Sequence, residues 1–187
     1  VDANGRIGKD GTTVYLSFLQ QPNGTTLFYE FEFHRDNLGD SGRIAGIGND
    51  RPGNSIHLRA PGDTHTVIGA GDTEVNFYVV RIDFKPGNDD IRIYRNPTSL
   101  TEPPVATLFK LAASDLSFDG ISFGSFLNGR NVAHDELRIG TSWAQVIAEN
   151  PYITWKREKN LEGATGDFES DADHDGGDQD PGAPGRL

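Results

Sequence analysis

Residues 29 to 35 read YEFEFHR. In a β-strand, successive side chains point to opposite faces. The segment therefore sets Tyr29, Phe31 and Phe33 on one face and Glu30, Glu32 and His34 on the other. Two carboxylates and an imidazole spaced about 7 Å apart along a strand fit three kinds of site. They could be an acid/base pair, part of a metal site, or a polar strand face. A metal would need a fourth donor from elsewhere in the chain. Acid/base work would need one carboxyl desolvated beside another that stays ionised. Nothing in the sequence supplies an apolar pocket for only one of them. The residues thus read as a polar face, solvated or lining a shallow groove.

A second group lies near the C-terminus. DADHDG places Asp171, Asp173, Asp175 and Gly176 in the spacing of the front half of an EF-hand or dockerin-like calcium loop. Alternate aspartates present hard oxygens from one side of a tight loop. The twelfth loop position should hold a bidentate glutamate, and here it is Gly182. The surrounding segment is acidic and polar, so weak cation binding or a solvated tail is expected. Tyr152 and Trp155 lie in the same polar region. They could stack on the face of a sugar ring or tether the tail to a sheet. His57, His65 and His134 have no ligand spacing and read as surface or turn residues.

These residues must be positioned by strands. The chain has 187 residues, enough for one domain with a real core. Its 23 glycines and 10 prolines imply many turns. Alternating or β-rich runs cover 13–21, 27–35, 42–48, 55–60, 65–69, 74–84, 91–96, 105–111, 116–127 and 134–140. Asn23-Gly24 between the first two predicts a hairpin. Short strands joined by Gly, Asn, Asp and Pro predict an all-β antiparallel sandwich or barrel. Residues 142–150 predict one short helix with Ser142 as its N-cap. The pattern stops near Asn150. From 156 onward nine acidic residues stand against four basic ones, with almost no apolar periodicity. The expected division is a sandwich over 1–150 and an acidic, weakly ordered linker or tail over 151–187.

The formal net charge of -11 argues against nucleic acid and anionic membrane surfaces as partners. Neutral sugars and cations remain compatible. There is no cysteine, hence no disulfide framework and no thiolate chemistry. No run approaches the length of a membrane span, and no signal peptide is visible. Methionine is absent even at position 1, so the chain reads as a processed product or an excised domain.

Two segments carry a family resemblance. FYVVRIDFKPGNDDIRIYRNP (77–97) is a long strand, a tight acidic turn and a strand ending in an aromatic residue and Asn. FDGISFGSFLNGRNVAHDELRIGTSWAQV (118–146) is a glycine-rich strand, a DE pair before a closing strand, and a helical turn. Together they resemble laminin-G-like, concanavalin A-like jelly-roll domains of the kind found in large secreted planctomycete-type bacterial proteins. The resemblance spans residues 13 to 148. It implies a jelly-roll β-sandwich and a secreted or cell-surface location. It also implies a non-catalytic module that binds a polysaccharide or cell-surface glycan or mediates adhesion, with calcium as a candidate cofactor. Tyr152 and Trp155 are then the candidate sugar-binding residues, and Asp171, Asp173 and Asp175 the candidate metal ligands. The fold also hosts glycoside hydrolases and polysaccharide lyases, so a glycan-active enzyme using Glu30, Glu32 and His34 is the alternative, and a structural spacer a third. Laminarinase-type members carry a third carboxylate on the catalytic strand. Here that place is taken by His34 or Arg35, and the catalytic roles are not carried over. Asp135 and Glu136 match the family's DE pair and read as a turn in which Asp135 holds backbone amides.

Overall fold

The computed structural model describes residues 1–24, 28–49, 55–60, 64–107, 109–112, 114–126 and 132–147. Ten strands and one helix lie within them: β1 (Thr13–Pro22), β2 (Phe28–His34), β3 (Arg43–Asn49), β4 (Ser55–Ala60), β5 (Thr64–Ala70), β6 (Asn76–Asp83), β7 (Asp90–Arg95), β8 (Phe109–Ala112), β9 (Gly120–Phe126), β10 (Val132–Gly140) and α1 (Trp143–Ile147). They form two antiparallel five-stranded sheets, ordered β10-β1-β6-β7-β8 and β5-β4-β3-β2-β9.

The alternation in the sequence explains the packing. Leu16 and Phe18 of β1, Tyr78, Val80 and Ile82 of β6, and Ile91 and Ile93 of β7 point inward from the first sheet. They meet Phe31 and Phe33 of β2, Ala45 and Ile47 of β3, and Ile56 and Leu58 of β4. Phe18 also packs edge-on against Phe123 of β9. Tyr29 is buried as well, so the three alternating aromatics of YEFEFHR all lie in the interior.

The first sheet has a second apolar layer on its outer face. Tyr15, Phe77, Val79 and Tyr94 are covered by Trp143, Val146 and Ile147 of α1. The helix start is capped from one side, because Gln145 Oε1 accepts from the amides of Thr141 and Ser142 at 2.7 and 3.2 Å. The cap thus runs from Gln145 back to Ser142, and no side-chain bond from Ser142 is needed to explain it. Glu102 pins the 97–107 connection over the same layer, accepting from the hydroxyls of Tyr15 and Tyr94 and twice from Arg81. These bonds outweigh burial and hold its carboxyl below the usual carboxylate range.

The expected hairpin between β1 and β2 does not form. β1 pairs with β10 and β6, and β2 with β3 and β9. The Asn-Gly region instead carries the chain from one sheet to the other. A two-residue turn signal reports a reversal, and a reversal between stacked sheets satisfies it as well as one within a sheet. The strand expected from residue 116 begins at Gly120; Leu116 and Phe118 are buried ahead of it, and Phe118 exchanges two backbone hydrogen bonds with Ile7. The tight acidic turn between β6 and β7 behaves as read: Gly87 adopts φ 88°, and Asp89 accepts from the amides of Lys85 and Leu116.

Candidate functional site

The polar side of YEFEFHR lies on the outward face of β5-β4-β3-β2-β9. Register places two rows of side chains across it. The first runs Ser122, Glu32, Gly46, Arg59, His65; the second runs Gly124, Glu30, Gly48, His57, Val67. His34 follows at the end of β2, opposite Gly120 and, through a register shift, Arg43. The two glycines of β3 make a trough with no side chains, and the Glu30 carboxylate fills it. A Cβ built on Gly46 would lie 2.8 Å from Glu30 Oε1.

The polar face of YEFEFHR is therefore not solvated. Glu30, Glu32 and His34 are 1%, 4% and 1% exposed, which corrects the expectation of a wet strand face. Alternation assigns residues to faces but does not say what covers a face. Here the cover comes partly from cations on neighbouring strands. Arg43 Nη1 lies 2.5 Å from Glu32 Oε1 and 3.6 Å from Glu30 Oε2. Arg59 Nη1 lies 3.3 Å from the same Glu30 oxygen. Arg43 also reaches Asp40 at 3.1 Å through Nη2. Buried carboxylates are tolerated when paired and hydrogen-bonded in this way.

A tighter knot sits beside these pairs. Ser122 Oγ donates to Glu32 Oε2 at 2.7 Å, and His34 Nε2 lies 2.8 Å from Ser122 Oγ and 3.2 Å from Glu32 Oε2. Serine, histidine and glutamate thus meet, but not in the order of a catalytic triad. A triad uses opposite ring nitrogens for the serine and the carboxylate. Here both partners converge on Nε2, while Nδ1 is buried without a hydrogen-bond partner. Burial pushes the Glu32 carboxyl up, but hydrogen bonds from Arg43 and Ser122 and the Arg43 charge outweigh it and bring its pKa below the ordinary value. A general acid at neutral pH needs the opposite shift.

The face brings together Glu30, Glu32 and His34 from the sequence reading with four residues it did not single out for a site: Arg43, Arg59, Ser122 and Gly46. A signal for Arg59 was present, since His57 and Arg59 alternate in SIHLRA. His57 is largely buried, and the ring nitrogens of His134 are sealed from solvent, so neither is the surface histidine expected. Asp135 Oδ1 accepts from the Glu136 amide at 2.7 Å, and Glu136 takes φ 55° at a β-bulge within β10, where a turn was expected. Tyr152, Trp155, Asp171, Asp173 and Asp175 lie outside the described residues. Among the described residues no cluster of three or more His, Cys, Asp or Glu is arranged to hold a metal, and no helix is long and apolar enough to cross a membrane.

Two stacked five-stranded antiparallel sheets define the class: an antiparallel β-sandwich. No protein-family model and no curated protein sequence matches the chain. Among solved structures, a variant of human galectin-16 is similar at a TM-score of 0.39 and 9% identity, over 76% of this chain and 98% of that one.

Proposed function

We propose that the chain is a non-catalytic carbohydrate-binding module and that its glycan lies across the outward face of β2 to β5. The observation that carries the reading is the pair of cross-strand rows, in which carboxylates, guanidinium groups and imidazoles are held by one another over a glycine trough. Sugar recognition needs hydrogen-bonding groups whose directions are fixed before the ligand arrives, because ordering long side chains on binding costs affinity. Arg59, with 20% of its side chain accessible beside a nearly closed Glu30, offers guanidinium edges of that kind. Among the described residues, the outward face of the other sheet is covered by α1 and the 97–107 connection. In the same proposal, Tyr152 and Trp155 supply stacking surfaces, Asp171, Asp173 and Asp175 supply a weak calcium site, and the module belongs to a secreted protein of the laminin-G-like kind, where glycan binding serves adhesion.

A second reading rests on the Ser122, His34 and Glu32 knot, which would serve a glycan-active enzyme if Glu30 and Glu32 opened to substrate. One glycan array, run with calcium and again with chelator, tests both. The binding reading expects glycan signals that Arg59→Ala removes and Glu30→Gln weakens, without turnover. An absence of signal under both conditions leaves a structural spacer. Turnover of a β-glucan, alginate, ulvan or xylan by the parent, lost in Glu30→Gln or Glu32→Gln, makes the chain an enzyme.

A further inference from the structure

Each sheet ends, on the same side of the sandwich, in a strand with one ladder neighbour among the described residues: β9 beside β2 and β10 beside β1. Phe123 of β9 and His134 of β10 close that side, with ring centroids 4.3 Å apart and planes tilted by 36°. His134 pairs in register with Gln20 of β1. Both His134 nitrogens and the Gln20 amide nitrogen are buried without hydrogen-bond partners. Three such atoms on cross-strand neighbours stand against the rule that buried polar groups are satisfied. A neutral imidazole tolerates this situation. An imidazolium carries two obligatory donors and a charge, and it would have no acceptor there.

Among the described residues nothing charged compensates. Across the ladder β1 offers Gln20, and across the slot β9 offers Phe123. On the strand itself, Asp135 is turned to the Glu136 amide and Glu136 pairs with Arg138 at 3.0 Å. Burial alone pushes the imidazole down to about 4. The apolar hold on this edge is also thin. Leu137 and Ile139 of β10 are 41% and 47% exposed, and a cleft of about 370 Å³ lined by Ile7, Phe118, Ile121 and Ile139 opens beside them.

We propose that His134 is an acid-sensitive latch on the β10 edge: its protonation expels the ring from Phe123 and loosens the β1 ladder between Val132 and Asp135, opening the sandwich on that side. The sign follows from linkage. A histidine with a depressed folded pKa contributes stability that is complete above its unfolded value and is lost as pH falls through the folded one. The window here runs from 6.5 down to about 4.

Amide hydrogen exchange on the full chain tests the latch. Across that window, after correction for intrinsic exchange rates, β10 amides from Val132 to Asp135 should lose about tenfold protection or more relative to Val79 and Val80 of β6, one pKa unit being worth tenfold. His134→Phe, which keeps a ring against Phe123, should abolish the difference. Equal loss in the variant overturns the latch, and so does uniform protection in the parent. Should the variant misfold, the imidazole signals of His134 in the parent decide the matter. A midpoint near 4 accompanied by a change at the Phe123 ring supports the latch, and one near 6.5 with Phe123 unchanged overturns it.

Discussion

Phe18 of β1 and Phe31 of β2 stack across the sandwich with centroids 4.4 Å apart and planes within 25° of parallel. The pair joins strands consecutive in the chain that belong to different sheets. Phe31 also meets Phe33 and Phe123, each at 5.1 Å. Phe31→Ala leaves a cavity that three aromatic neighbours cannot fill, at a cost of about 3–5 kcal/mol. A thermal melt reads it; a midpoint within a degree or two of the parent would contradict the packing described.

Arg43→Ala removes the cation that Glu32 and Glu30 share. Breaking a buried pair from one side costs about 3–5 kcal/mol at neutral pH, because a charge is left behind. The pH dependence carries the sign. In the parent, the lowered Glu32 pKa contributes stability that is present above the ordinary carboxylate value and lost as pH falls through the folded one. In the variant, the carboxyls favour protonation instead. Denaturant midpoints should show the gap between parent and variant narrowing as pH falls from neutrality; a gap independent of pH would count against shared charge.

Gly46 and Gly48 separate backbone need from site geometry. A Cβ at Gly46 meets the side-chain carboxylate of Glu30, whereas one at Gly48 would lie 2.0 Å from the Tyr29 carbonyl oxygen. Gly46→Ala should cost about 1 kcal/mol, as mild overpacking does, yet displace Glu30 from Arg59 and weaken glycan binding. Gly48→Ala should fail to give a stable fold. Chemical denaturation of both variants, with the array repeated on Gly46→Ala, checks the contrast.

Two truncations isolate the contribution of α1. A chain ending at Asn150 retains Trp143, Val146 and Ile147 over Tyr15, Phe77, Val79 and Tyr94 and should keep the parent's circular dichroism. A chain ending at Ser142 exposes that layer and should aggregate or unfold. Equal behaviour of the two would mean that α1 contributes nothing to stability.

The strands were legible because their faces are strongly contrasted. The alternation in TVYLSFLQQ and FYEFEFH places Phe18, Phe31 and Phe33 inside, as found. Pairing was less legible. A turn signal does not record which sheet the next strand joins, so the crossover after β1 read as a hairpin. The site was legible in part. Glu30, Glu32 and His34 shared a face as read, but their burial depends on Arg43 and Arg59, which arrive from β3 and β4. Register shifts at Phe33/His34 and Ile56/His57 decide which partners meet, and a single strand's pattern carries no register.

The pairing of β1 with β10 has a consequence for how the chain acquires its structure. Ser17 donates to the carbonyl of Val146 across 129 residues of sequence, and β1 sits between β6 and the last strand. The second strand of the first sheet cannot be flanked on both sides until nearly all the described chain has been synthesised. Such distant closures are slow, and they leave strand edges open meanwhile. The nascent chain should therefore depend on holding factors until β10 emerges, and refolding at high concentration should lose material to aggregates that form before that last ladder closes.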